Sequence, residues 1–355
     1  MNEGYVYTIK ELLGIALKKE ASDLQITVGV PPLIKVKGEF EYIGDTILKP
    51  DNTRALVREL FEYEDSFKEF LTTGDKDFSL SIPKMGRFRV NTFLQRGSLA
   101  AAIRLVFTKL PDPRDLLIPE TVLQMHQLNK GLVLVTGPSG SGKSTTLSCI
   151  IDLINSTRKC HILTLEEPIE YLHHHKMSVV NQREIGQDTQ SYARALRAAL
   201  RESPDVILVG EMRDLETISI AMTAAETGHL VLSTLHTLGA AKTIDRIIDV
   251  FPPNQQHQIR IQLSTILRAV ISQQLLPSEQ RGRVAAFEIM TANNAIQNLI
   301  RENKTYQIDS VILSSKKAGM QSMDMDISEL YKKGLVTRED ALLYSLNPDV
   351  LIKYL

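Results

Sequence analysis

Eight consecutive residues constrain this 355-residue chain more than any other feature. Gly137-Pro138-Ser139-Gly140-Ser141-Gly142-Lys143-Ser144 satisfies G-x-x-x-x-G-K-[ST] at every fixed position. The run stands where its chemistry requires it, after the apolar strand-like segment Gly131–Thr136 and at the head of a helix-like segment, Lys143–Ile154. Its glycines let successive backbone N–H groups turn inward toward a phosphate, and the helix N-terminus adds its positive end. Lys143 supplies a mobile point charge for the β- and γ-phosphates of ATP. The Ser144 hydroxyl is a Mg²⁺ ligand, and Thr145 completes the nucleotide-binding set. A strand, a tight turn and a helix in that order also place the segment in a layered α/β fold.

The rest of the chain supplies such a fold. Beyond residue 118, strand-like runs at Cys160–Leu165, Val206–Val209 and Leu230–Ser233 alternate with helix-like runs at Tyr192–Arg201 and Asp214–Thr227. This rhythm predicts a mainly parallel sheet covered by helices on both faces. The region after residue 250 reads as mostly helical. Residues 1–107 mix helices (8–20, 53–71) with strands (24–28, 33–36, 78–80, 87–95, 100–107) and lack a βαβ rhythm, which predicts a separate α+β domain. Thr108–Leu117, with Pro111 and Pro113, reads as the linker to an ATPase domain at 118–355.

Composition narrows the function. Lys plus Arg is 41 and Asp plus Glu is 42, a net charge of −1 that argues against a dedicated nucleic-acid binder. Two cysteines without a CxxC exclude a disulfide framework and a cysteine zinc site. The opening MNEGYVYTIKELLG lacks a basic segment followed by an apolar one, so no signal peptide is expected. No apolar run approaches the ~18 residues of a membrane span, so direct membrane insertion is not expected.

Further candidates lie at strand ends, where open parallel sheets bind ligands. Asp205–Val209 leads through Gly210 to Glu211, a carboxylate that joins Ser144 as a candidate metal ligand. Leu163–Leu165 leads into Glu166, Glu167 and Glu170 around Pro168. One of these carboxylates is expected to orient or deprotonate an attacking water; which one is left open. His236 follows Ser233-Thr-Leu and is a candidate γ-phosphate sensor. Arg87 and Arg89 share one strand face, while Arg194, Arg197 and Arg201 form a helix stripe. Either set can meet phosphate or simply be solvated. His173-His174-His175 cannot converge on one ion, so no metal site is expected there.

In their order, Gly137–Thr145, Thr164–Tyr171, Asn181–Gly186, Ala195–Asp214 and Gly228–Thr237 resemble the secretion-ATPase superfamily and, within it, the type IV pilus retraction ATPases. Ala21–Leu24, Gly29–Pro32, Phe88–Asn91, Gly319-Met320 and Met323-Asp324 extend the resemblance over nearly the whole chain. It implies a PAS-like N-terminal domain, a RecA-like P-loop core and a homo-hexameric ring with nucleotide bound between the two domains. It implies catalytic roles for Glu166, Glu170, Glu211 and His236, and nucleotide contacts from Arg87, Arg89, Arg104 and Arg246, within or across subunits. The implied function is a cytoplasmic ATP-hydrolysing motor for pilus retraction and twitching, at the inner-membrane face. Its partners would be a pilus platform protein and, indirectly, pilin. Glu167, Leu238-Gly239 and Gln297 depart from the family's usual Asp, Asn-Ser and Arg. An accessory retraction motor, a pilus-assembly motor and a type II secretion ATPase are the alternatives within the superfamily. Outside it stand a nucleic-acid translocase and a non-hydrolysing regulator.

Overall fold

The computed structural model describes residues 7–36, 38–106, 110–353 and 355. Residues 1–6 of the opening segment, Phe107 and residues 108–109 of the expected linker lie outside the described residues. The chain divides into two compact units, Met1–Lys109 with Glu170–Leu172 and Leu110–Ile169 with His173–Leu355.

In the first unit, helix α1 (Ile9–Lys18) starts at a capping box: the Thr8 hydroxyl accepts from the Glu11 N–H, and the Glu11 carboxylate accepts from the Thr8 N–H. Such a cap is worth ~1 kcal/mol, and it sets the helix so that Ile9, Leu12, Leu13 and Ala16 are buried together. Strands β1 (Asp23–Ile26), β2 (Leu33–Val36) and β3 (Glu39–Tyr42) follow, then helices α2 (Pro50–Glu59) and α3 (Glu64–Thr73). Strands β4 (Asp75–Ile82), β5 (Gly86–Gln95) and β6 (Ser98–Val106) complete the unit. The strands form one antiparallel sheet in the order β3-β2-β1-β6-β5-β4. The period of two sends Leu24, Phe88, Val90, Ile103 and Leu105 into the core. It leaves Arg87, Arg89 and Arg104 on the opposite face. The helical periodicity over 53–71 is interrupted between α2 and α3. There Phe61 turns inward, its ring centroid 5.3 Å from that of Phe67, 5.5 Å from Phe70 and 4.8 Å from Phe78.

In the second unit, Leu110 and Leu116 of the expected linker pack against a buried cluster. The elements are α4 (Glu120–Leu123), β7 (Gly131–Thr136), α5 (Lys143–Thr157), β8 (His161–Glu166), β9 (Val179–Glu184), α6 (Tyr192–Ala199), β10 (Val206–Val209), α7 (Leu215–Glu226) and β11 (Leu230–Leu235). They continue with α8 (Ala240–Asp249), α9 (Pro253–Ile266), β12 (Leu267–Ser278), β13 (Gly282–Thr291), α10 (Asn294–Arg301), α11 (Ile308–Ser314), α12 (Met323–Lys332), α13 (Arg338–Tyr344) and α14 (Pro348–Leu351). The sheet order is β13-β12-β7-β11-β10-β8-β9, parallel throughout except for the antiparallel β12–β13 pair. The expectation of a mostly helical region after residue 250 is therefore corrected: a long hairpin occupies 267–291. Its strands are buried on both faces over most of their length, so they lack the polar–apolar alternation that marks a half-buried strand.

The central strands separate two cores. Leu132, Leu134, Leu163, Leu165, Ile207, Val209 and Val231 face α6–α9. Val133, Val135, Ile162, Val206, Leu208, Leu230 and Leu232 face α4 and α5. Each fully buried Val or Leu contributes roughly 1.5–3 kcal/mol, so a strand registered into both cores holds its C-terminal end firmly. Cys149 of α5 lies in the second core at 1% exposure. Burial, reinforced by Asp152 and Asp112, pushes its thiol up to about 12.

Candidate nucleotide-binding and hydrolysis site

The glycine-rich loop leaves β7 and enters α5, and two of its glycines are sterically required. A Cβ on Gly137 (φ 144°) would lie 2.1 Å from the Gln273 carbonyl oxygen of β12, and one on Gly142 (φ 89°) would lie 2.9 Å from Gln273 Nε2. The neighbouring strand thus presses on the loop from behind and leaves no volume for side chains. Gln273, 3% exposed, also accepts from the Thr146 hydroxyl at 2.8 Å through Oε1. It joins the hairpin to the first turn of α5. Lys143, 8% exposed, donates from Nζ to the carbonyl oxygens of Gly137 and Pro138, each at 2.9 Å. The Ser141 hydroxyl is buried and has no hydrogen-bond partner among the described residues. Ser144 is half-buried at the head of the helix.

The other candidates stand along the same carboxyl edge of the sheet. β11 neighbours β7, β10 comes next and β8 third, so at strand spacing Glu211 is on the order of 10 Å from the loop and Glu166 roughly 14 Å. His236, just past β11, lies between. His236 Nε2 is 3.3 Å from Glu211 Oε2, and Arg213 Nη2 is 2.8 Å from the same oxygen. Burial raises the Glu211 pKa, but the Arg213 hydrogen bond and the charges of His236 and Arg213 outweigh it, and the net shift is downward. Glu211 is therefore a firmly ionised carboxylate, 15% exposed, at the middle of the edge.

Glu166 is also buried. Its Oε1 accepts from the Thr164 hydroxyl at 2.6 Å and from Gln182 Nε2 at 3.1 Å. The Glu167–Pro168 peptide is cis, Glu167 is exposed, and Ile169 N–H donates to Glu184 Oε2 at 3.0 Å. Glu170 is exposed and belongs to the first compact unit. Of the three acidic-loop glutamates, only Glu166 is held inside the sheet edge.

The arginines divide by location. Arg89 and Arg104 are cross-strand neighbours; Arg89 is exposed, while Arg104 Nε pairs with Asp23 Oδ1 at 3.1 Å. Arg87 Nη1 donates to the Ser81 hydroxyl at 3.2 Å. Arg246 is exposed on α8. On α6, Arg197 is paired with Glu216 of α7 and Arg194 with Gln190. His175 Nδ1 accepts from the Val180 N–H, and no group of three or more metal-ligating side chains occurs among the described residues.

Sequence reasoning passed over four contributors: Gln273, Arg213, Glu184 and Tyr192. Tyr192 reaches in from α6, and its hydroxyl would lie 2.8 Å from a Cβ on Gly210. Burial first, then the charges of Glu167, Glu211 and Glu166, push its phenol well above the usual range. Arg213, two residues beyond Glu211, and Glu184, within Asn181–Gly186, carry a signal at the sequence level; Gln273 and Tyr192 carry none.

A parallel sheet with this loop and carboxylates at its strand ends is the architecture of a P-loop nucleotide-hydrolysing protein. Residues 73–342 match the family described as Type II/IV secretion system protein, and the chain belongs to that family. It is 48% identical over 335 residues to the type IV pilus retractation ATPase PilT of Pseudomonas aeruginosa, covering 94% of this chain and 96% of that one. It is 47% identical over 311 residues to the twitching motility protein of Neisseria gonorrhoeae, covering 87% and 83%. The crystal structure of the pilus retraction motor PilT with bound ADP superposes with a TM-score of 0.91 at 48% identity, covering 98% of this chain and 99% of that one.

Proposed function

We propose that this chain is an ATP-hydrolysing motor that powers type IV pilus retraction. It works as a homo-hexameric ring at the cytoplasmic face of the inner membrane, against a pilus platform protein and, through it, pilin. The observation that carries the reading is the end-to-end likeness to retraction ATPases in a chain whose loop lysine, Glu211, His236 and Glu166 line one sheet edge. The site fits Mg-ATP. The loop has no room for side chains behind it, and the buried Ser141 hydroxyl and the Lys143 ammonium are donors suited to phosphate oxygens. Mg²⁺ takes few protein ligands and relies on phosphates and water; Ser144 directly, and Glu211 through water, would hold it, and it would supply positive charge against the β- and γ-phosphates. Lys143 fixes the phosphates, His236 faces the terminal one, and a strand-end carboxylate takes the proton of the attacking water.

Deleting the gene should leave cells with excess pili that do not retract and with no twitching, scored by electron microscopy and motility assay. Bald cells would mean an assembly motor, and unchanged pili with normal twitching would overturn the proposal.

Arg87, Arg89, Arg104 and Arg246 are proposed to complete nucleotide sites within or across subunits. Mixing the Lys143→Ala and Arg89→Ala proteins should then restore part of the turnover that each lacks alone. Rings that form but show no recovery at any ratio count against sharing through Arg89.

A further inference from the structure

The hairpin that braces the loop also carries a buried acid the reaction does not use. Glu288 of β13 is 5% exposed, and its register partner across the hairpin is Ser272. Both face the start of α8. Ser272 Oγ accepts from Gly239 N–H at 2.9 Å, and Glu288 Oε1 accepts from Ala240 N–H at 2.8 Å. These amides directly follow the turn that begins with His236. Glu288 shares a cavity wall with Ser322 and Met323 at the start of α12, and the Met323 amide favours its charge. Beyond it, Asp324 accepts from Ser345 Oγ and from the N–H groups of Leu346 and Asn347, which ties α12 to the segment between α13 and α14.

We propose that Glu288 is a positioning residue for hydrolysis: a single buried carboxylate that clamps the start of α8, and through it the His236 turn against Glu211, to the start of α12. The inference rests on the ATPase reading above. Two N-terminal helix ends face one anion, so their dipoles favour its charge, and an ionised carboxylate accepts from Ala240 N–H and draws the start of α12 toward it without itself donating. A protonated acid holds one of its oxygens as a donor and grips the pair less well.

Other charges face the clamp. Lys242 of α8, Asp309 of α11 and Asp324 of α12 line a cavity of about 270 Å³ beside it. Burial raises the Glu288 carboxyl to about 7, with Asp309 and Asp324 adding to the rise and the Ala240 and Met323 amides opposing it. A raised folded pKa means that Glu288 favours the folded state fully below about pH 4.5 and that this contribution is lost as pH rises through about 7. Acidification from about pH 8 to 6 thus tightens the fold at this position while it loosens the clamp. Turnover and thermal stability should move in opposite directions, which a merely structural acid would not produce. Asp326 of α12 accepts from Phe287 N–H and is raised to about 6, so the difference between wild type and variant isolates Glu288.

The test is Glu288→Gln in the full-length protein, read by ATP turnover, ADP binding and melting temperature between about pH 6 and 8. Expected at pH 8 are a roughly tenfold lower kcat, ADP affinity within about twofold and a melting temperature no lower than wild type. The kcat gap should close toward pH 6. An unaltered kcat, a gap that persists unchanged at pH 6, or a loss of turnover accompanied by a lower melting temperature overturns the proposal. If the variant does not fold, the wild type still decides: turnover that stays flat from pH 8 to 6 overturns it. Absence of hydrolysis by the wild type overturns the functional reading and this inference together, whereas normal hydrolysis with an unaltered Glu288→Gln profile overturns this inference alone.

Discussion

Lys143→Ala should reduce ATP turnover about a thousandfold or more, the scale of losing a preorganised charge at a phosphoryl-transfer site. The side chain is buried where the loop turns, with Nζ bonded to the carbonyls of Gly137 and Pro138. Those bonds hold the ammonium at the mouth of the loop, so little rotamer freedom is lost when phosphate replaces the carbonyls. Alanine removes the charge and leaves the strands, both cores and the brace from Gln273 unchanged. Circular dichroism and the melting temperature should therefore stay close to wild type while phosphate release ceases. A folded variant with wild-type turnover would sink the assignment of the loop.

Glu211→Gln should separate chemistry from binding. Turnover is expected to fall about a hundred- to a thousandfold, with affinity for a non-hydrolysable ATP analogue changed by no more than a few-fold. The amide keeps the shape but removes the charge that Arg213 and His236 both face, so His236 loses its anchor as well. Because the net shift of Glu211 is downward, its stabilising contribution is present above the ordinary glutamate pKa and is lost as pH falls through its lower folded value. Nothing in the range of about pH 6 to 8 should titrate this group. If the variant hydrolyses normally, or loses nucleotide binding in proportion to turnover, Glu211 has been given the wrong role.

What could be read from residue order alone was local. The loop is a run of adjacent residues whose glycines and lysine announce their purpose, and β7, β10 and β11 are short apolar runs that end at informative side chains. Contributors defined by distant contacts were invisible. Gln273 acts on Thr146 from 127 positions away, and nothing about a glutamine in an apolar stretch signals a brace. Glu288 looks like one acid among many until the register of β12 and β13 places it against two helix starts. The hairpin itself was missed because Ala269-Val-Ile-Ser-Gln-Gln is buried on both faces, which erases the alternation that identifies a strand. Tyr192 has the same character, since its burial against Gly210 is produced only when α6 packs along β8 and β10.

The depth of Cys149 has a practical side. A thiol near pKa 12 holds on the order of one thiolate per hundred thousand molecules at neutral pH, and the thiolate is the form that reacts with maleimides and oxidants. The protein's other sulfhydryl, Cys160, is half-buried beside Ser178. Exchanging that one residue for serine would leave a background almost silent to alkylating dyes. A fluorophore or spin label could then be attached at a chosen surface position without disturbing α5, and conformational changes during the nucleotide cycle followed from that single reporter.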